Sequence, residues 1–335
     1  MRGLAFTVSW LLWGIGFYLY LPFLSIFLAK ITSPSSIPEI YFISQLSSLP
    51  FPILGMISHK KIGSTKTIII GMIISSLGLF LLGFSRNIYE AIASLTTYYF
   101  FYFSLPSYYV VFKSIGDGTI ERIWGISVSP SIISPFLGGI IASYFGYKIL
   151  FLISGLFVLF SVFPILKENN VKGGNSKIRI SPIILLIIIP IAISMEFIFL
   201  EIKLLFSFSD TEIGILASIA EFIGMMFSIV SSFFFTKKLL PLSILLFSIE
   251  GLSIISPYFA IFYGFWEVII PVTLEIFSNS RSVEDFASIN FTQSLGWTIG
   301  YAITSIIRNI TIAIEFSSLI SIILSIILFI RINKT

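Results

Sequence analysis

The chain has no cysteine, a single histidine and few charges, and each shortage removes a class of function. Among 335 residues only 11% are charged, whereas a soluble domain carries about 25%. Without cysteine there are no disulfides, thiol nucleophiles or thiolate metal sites. His59 stands alone, so no histidine cluster can hold a metal ion. No nucleophile–base set and no phosphate-cradling glycine loop is present, which argues against an enzyme. What the chain has instead is apolar surface: 56% of residues are hydrophobic and the mean hydropathy is +1.03. Water could not solvate such a surface, so lipid is the solvent to expect. The net charge of +4 does not point to nucleic acid, because the basic residues are scattered among short loops.

A helix needs roughly 20 apolar residues to cross the hydrocarbon. On that measure the sequence predicts twelve spans, at 4–29, 37–58, 67–84, 87–112, 121–145, 148–166, 181–206, 211–235, 240–256, 258–278, 286–307 and 310–331. Most links between them are short. The exception runs from Lys167 to Arg179 and is polar, basic and glycine-containing. It divides the chain into a first six-helix bundle at 1–166, a linker at 167–180 and a second six-helix bundle at 181–335. Arg2 followed by the apolar stretch 4–29 could pass for a signal peptide. The stretch is too long for a typical one and no small-residue cleavage site follows, so it reads as an uncleaved first span.

The basic residues set the orientation. With the N-terminus in the cytoplasm, fifteen of them fall inside, among them Lys60, Lys61, Lys66, Lys113 and Lys177. Only Lys30, Arg86, Lys148 and Arg308 fall outside, and Lys203 lies within span seven. The sequence therefore predicts a multi-pass protein of the cell membrane with both termini cytoplasmic.

The halves resemble each other weakly. Glu39-Ile40 opens span two and Glu212-Ile213 opens span eight; Lys60-Lys61 and Lys237-Lys238 close them. Pro106 in span four answers Pro271 in span ten, and Glu121 and Glu284 each precede the fifth span of their half. Repeated bundles are how many transporters build a site at an interface. Small residues recur at spacing four in span five (Gly138, Ala142, Gly146, beside Gly139 and Ser143) and span eleven (Gly296, Gly300, Thr304). Gly214, Ser218, Gly224 and Ser228 in span eight and Ser44 and Ser48 in span two extend the pattern. Such rows let helices approach closely, and they place spans two, five, eight and eleven at the join between halves or in ordinary helix packing.

In layout and in three short motifs the chain resembles the major facilitator superfamily. The stretch Gly55-Met-Ile-Ser-His59-Lys60-Lys61-Ile-Gly63-Ser-Thr-Lys66 is similar to the family's loop motif Gly-x-x-x-Asp-Arg-x-Gly-Arg-Lys. His59 replaces the acid, and one extra residue separates the glycines. Ser134-Pro135-Phe-Leu-Gly138-Gly139 resembles the end of a helix-packing motif of antiporters in this superfamily. Ser209-Asp-Thr-Glu-Ile-Gly214 resembles the usual start of span eight. The resemblance implies an all-α membrane protein of two six-helix bundles that transports a small solute. It further implies that spans seven and ten line the cavity, with span eight at its edge. The loop residues Gly55, His59, Lys60, Lys61 and Gly63 would help hold the cytoplasmic side closed, the lysines facing helix ends or Glu121.

Three glutamates fall well inside spans: Glu196, Glu221 and Glu267. An ionised carboxylate costs at least about 2.5 kcal/mol in hydrocarbon by insertion scales, so such a group is suited to take up and release a proton. Each could equally be a hydrogen-bonded structural group. Glu201 and Lys203 could pair or reach for water, Glu250 sits in span nine, and Glu275 is near the inner end of span ten. Trp10, Trp13, Phe17 and Tyr20 follow helical spacing on span one, and Tyr98, Tyr102 and Pro106 do so on span four. Aromatic faces stack on sugars, heterocycles or cations, though such stripes also serve as core. Asn290, Gln293 and Trp297 on span eleven could bind solute or another helix. The function to expect is secondary transport of a small solute by alternating access, coupled to a proton, with no cofactor. The rival is a non-transporting sensor or scaffold with a transporter-like fold.

Overall fold

The computed structural model describes residues 2–115, 120, 123–125, 129–171, 177–233, 238–277 and 282–332. Every element among them is helical. In chain order the α-helices are Arg2–Tyr20, Leu24–Ile31, Ile37–Ser48, Phe51–Ile62, Ser64–Leu82, Ile88–Tyr98, Phe101–Ile115, Ser134–Phe160, Pro182–Ser194, Ile198–Phe206, Asp210–Phe233, Leu239–Ser248, Trp266–Phe277, Val283–Ile307 and Ile310–Ile332. Eight helical segments of the described residues are long and apolar enough to cross a membrane: Gly3–Ile31, Pro34–Ile62, Ser64–Leu82, Ser134–Ile165, Pro182–Phe206, Asp210–Val230, Pro257–Phe277 and Ile310–Arg331. This is a multi-pass membrane protein.

The differences from the expected spans have local causes. Spans five and six follow each other directly in Ser134–Phe160, which is two helices that meet at a kink. Gly146, at φ 82° and ψ 166°, breaks the helical backbone and makes the turn between them, a conformation that costs glycine little. Val283–Ile307 has the length of a span but carries Glu284, Asn290 and Gln293, all buried, and the half-buried Asp285. Leu239–Ile254 is apolar but short.

Helix ends follow ordinary capping chemistry. The Asn87 side chain accepts from the Glu90 amide at 3.0 Å, while Glu90 accepts from the Arg86 amide at 2.7 Å. Ser209 and Glu212 cap each other reciprocally at the start of Asp210–Phe233. Gly63 ends Phe51–Ile62 at φ 89°.

Side-chain partition is that of a protein in lipid. On Ile310–Ile332, Ser317, Ser321 and Ser325 turn inward while Leu319, Ile323 and Ile327 face out. Ser317 donates to the Pro190 carbonyl and Ser325 to the Pro241 carbonyl, both at 2.6 Å. Lipid supplies no hydrogen-bond partners, so hydroxyls turn to neighbouring helices and hydrocarbon faces outward.

The small-residue rows do two jobs. A Cβ on Gly139 would stand 2.5 Å from the Asp210 carbonyl, and one on Gly214 2.5 Å from the Pro135 carbonyl, so Ser134–Phe160 and Asp210–Phe233 meet backbone to backbone. Gly138 meets Leu19 of the first helix instead. Gly296 and Gly300 pack against Ile188 and Ala192 of Pro182–Ser194, and Ser44 bonds to the Ile92 carbonyl. Those rows therefore serve packing between helices on the same side of the linker, while Val283–Ile307 also touches Ile37–Ser48 of the other side.

Candidate functional site

Several helices are interrupted, and the interruptions converge. The first gives way to a 3-10 turn at Leu21–Phe23, which contains Pro22. Tyr99 and Phe100 separate Ile88–Tyr98 from Phe101–Ile115, and Met195–Phe197 separate Pro182–Ser194 from Ile198–Phe206. The 3-10 segment Pro257–Phe265 passes into α-helix at Trp266. Residues at or beside each of these four breaks line one cavity: Tyr20 and Leu21, Tyr98 and Tyr99, Met195 and Glu196, and Trp266. A further break, at Leu49–Pro50, lies away from it. Non-helical backbone at membrane depth is tolerated where protein or a cavity surrounds it, and broken helices commonly mark a transporter's binding site. Pro106 and Pro271 add to this: each removes the helical bond to the carbonyl four residues back, at Tyr102 and Glu267. The carbonyl of Glu196 is captured by the Ser25 hydroxyl from the first half of the chain.

The cavity is about 90 Å³, several times the ~10–15 Å³ that one water needs. Its wall is aromatic. Trp10 stacks on Trp13 with ring centres 4.5 Å apart, and Trp13 on Phe17 at 5.1 Å. All five tryptophans of the chain, residues 10, 13, 124, 266 and 297, line it. Among the described residues its one lining carboxyl is Glu196, which is only half-buried. Tyr301 donates to Glu196 Oε1 at a long 3.4 Å, and Oε2 has no hydrogen-bond partner. The indole N–H groups of Trp10 and Trp13 and the amide nitrogen of Gln293 are likewise unpartnered.

Glu267 and Glu221 lie beside this cavity rather than in its wall. Both are buried. Glu267 accepts from the Tyr18 hydroxyl and from the Trp124 indole, each at 2.5 Å. Trp266 donates to Glu221 Oε1 at 3.3 Å, Glu221 Oε2 has no hydrogen-bond partner, and the two carboxyls interact electrostatically. Glycine makes the contact possible: a Cβ on Gly264 would lie 1.8 Å from the Ala220 carbonyl, and one on Gly224 2.1 Å from the Gly264 carbonyl.

Polar pairs lie toward the two ends of the helix array. Lys60 pairs with Glu284 and Lys113 with Glu275, both at 2.5 Å. Glu284 opens Val283–Ile307, a helix about 37 Å long at 1.5 Å per residue. At its far end Arg308 lies 4.0 Å from Glu39. Toward that end also, Lys203 pairs with Asp210 at 2.5 Å and Tyr147 donates to Asp210 at 2.8 Å.

Thus Glu196, Tyr98, Tyr102, Trp13 and Gln293 share one cavity, and Glu221 and Glu267 share an adjacent cluster. Lys203, expected to pair with Glu201 or reach for water, binds Asp210, and Glu201 accepts instead from Thr311. Glu250 is fully buried and accepts from Ser194. The partner of Lys60 is Glu284; Glu121 lies outside the described residues. Lys61 is exposed, His59 is buried with Nδ1 3.0 Å from the Ser107 hydroxyl, and Gly55 packs against the Phe103 backbone. Asn170 of the linker sits over Gly63 and accepts from the Thr65 amide at 3.2 Å. Sequence reasoning missed Tyr18 and Trp124 as partners of Glu267. Tyr18 stands off the aromatic stripe of its helix, and nothing local ties Trp124 to a carboxyl 143 positions away.

No family model matches the chain, and no curated protein matches it in sequence. In fold it is similar to the crystal structure of the human organic anion transporter MFSD10 (TETRAN), with a TM-score of 0.70, 12% identity and coverage of 98% of each chain. At that identity the likeness shows the fold alone.

Proposed function

We propose that this protein is a proton-coupled secondary transporter that moves a small solute by alternating access, and not an enzyme. Its twelve spans form two six-helix bundles, 1–166 and 181–335, joined by the cytoplasmic linker 167–180, in the plasma membrane with both termini inside. The observation that carries the reading is the Glu267 cluster. Tyr18 and Trp124 come from the first bundle, and Glu221 and Glu267 from the second. If the bundles rock apart, Glu267 exchanges these donors for water, and the proton held by the carboxyl pair becomes free to leave. Proton affinity is thereby tied to conformation, as coupling demands.

The Lys60–Glu284 and Lys113–Glu275 pairs bridge the bundles on the linker side, and Tyr147–Asp210 and Arg308–Glu39 do so on the other. Breaking one set while keeping the other would open the cavity to one side at a time. Gly55 and Gly63 keep the loop and its neighbours close, while Pro135 and Gly139 provide a surface on which the bundles slide and Gly138 fixes the first helix against the same helix.

The decisive measurement uses Glu267→Gln in proteoliposomes. Glutamine keeps the shape and some hydrogen bonding but cannot ionise. The variant should lose accumulation driven by a pH gradient and keep solute exchange at equal pH. Full pH-driven transport by both Glu267→Gln and Glu221→Gln would reject this coupling site. Topology is tested with single cysteines at Lys177 and Lys148, both exposed: an impermeant thiol reagent outside intact cells should label position 148 and not 177.

A further inference from the structure

We infer that the central cavity selects a small organic cation, a quaternary ammonium or protonated amine that also carries a hydrogen-bond acceptor. This rests on the transport reading for its purpose but on separate residues for its chemistry. Among the described residues lining the cavity Glu196 is the only ionisable acid, and no lysine, arginine or histidine is among them. Lys113, buried at the linker end, is held by Glu275 at 2.5 Å. An anion entering the cavity would meet a carboxyl and find no counterion, an arrangement that disfavours the charged ligand strongly in a place shielded from water.

A cation meets the opposite conditions. Glu196 sits at a helix break in the cavity lining, is only half-buried as a residue, and leaves its buried Oε2 unpartnered. Aromatic rings line the same cavity, among them Trp10, Trp13 and Phe17, which stack on one another. Ring faces attract cations, tryptophan most strongly. Tryptophan in membrane proteins is enriched at the lipid–water interfaces, yet all five tryptophans here are gathered at this one cavity. The unpartnered N–H groups of Trp10, Trp13 and Gln293 ask for an acceptor oxygen, which a hydroxyl or carbonyl on the same solute would supply.

Because every tryptophan borders the cavity, intrinsic fluorescence of the whole purified chain reports on it directly. The probes are choline, its neutral isostere 3,3-dimethyl-1-butanol, and the anion 3,3-dimethylbutyrate. Choline should give a saturable fluorescence change, and the alcohol and the carboxylate should not do so at the same concentrations. Glu196→Gln should weaken choline binding roughly ten- to hundredfold, the range for losing one charged interaction. Glu196→Asp should restore most of it, and thermal unfolding of both variants checks that they fold. Equal or tighter binding of the alcohol or the carboxylate, unchanged affinity in Glu196→Gln, or no saturable choline response overturns the inference. Choline that binds but is never transported leaves this inference standing and defeats the transport reading. Counterflow of a different solute without choline binding does the reverse.

Discussion

Two carboxyl environments lie side by side in this protein, and they differ in almost every physical respect. Glu267 is fully buried, receives two short hydrogen bonds from the other half of the chain and contacts a second carboxyl. Glu196 keeps accessible surface, has one long bond at 3.4 Å and leaves an oxygen unpartnered. A saturated dry site holds what it already has, a proton, whereas an under-satisfied site facing a cavity has room for something new. The same residue type can therefore serve coupling in one place and recognition in the other. In the sequence the three glutamates are separated only by the family resemblance, which slightly favours Glu267 on span ten as the proton site.

The largest test of this contrast attacks the packing beneath the carboxyl pair. Gly264→Val places side-chain atoms where the Ala220 carbonyl stands. Overpacking of this kind costs about 1–3 kcal/mol or more, so thermal unfolding in detergent should fall sharply, and any folded protein should lose pH-driven transport. A Gly264→Val protein with wild-type stability and coupling would show that the close approach is not required.

A smaller effect is expected from Tyr18→Phe, which removes one donor from Glu267 and leaves its ring contacts. Hydrogen bonds to charged groups contribute about 1.5–3 kcal/mol. The pH dependence of transport should move while solute affinity at the Glu196 cavity holds. A change in affinity with no change in pH dependence would merge the two sites into one.

Smaller again is the double variant Lys60→Gln with Lys61→Gln. Lys60 is 47% exposed along its side chain although Glu284 is 4% exposed. Ion pairs with an exposed partner contribute about 0–1 kcal/mol. Stability should therefore stay nearly constant while the inward–outward balance shifts by a few-fold, read as cysteine accessibility from each side. Unchanged accessibility would remove the gating role from this pair.

The smallest effect belongs to Tyr301→Phe. Its bond to Glu196 is long, so unfolding should change by less than about 0.5 kcal/mol, below an ordinary hydrogen bond. A large loss of stability here would mean that Glu196 is as firmly held as Glu267, and the contrast between the two would collapse.

The sequence by itself determined the solvent, the element type and the inventory. A composition with 11% charge and 56% hydrophobic residues leaves lipid as the environment, and lipid leaves helices as an answer for the backbone. Intramembrane acids were legible for the same reason, because each one is costly enough to stand out. Motif order made the transporter-like fold readable, since loop motifs depend on short stretches of contiguous residues. Tertiary structure alone decided the rest. That Tyr18 and Trp124 reach Glu267 depends on pairing residues 249 and 143 positions apart, which no local pattern encodes. That Lys203 chooses Asp210 over Glu201 depends on the turn through Ser207, whose left-handed φ of 56° brings the next helix start back within reach. That five scattered tryptophans meet around one carboxyl follows from where the helices break and cross. Hydropathy and periodicity describe each helix against its solvent, whereas a site is made by the faces that helices turn toward one another.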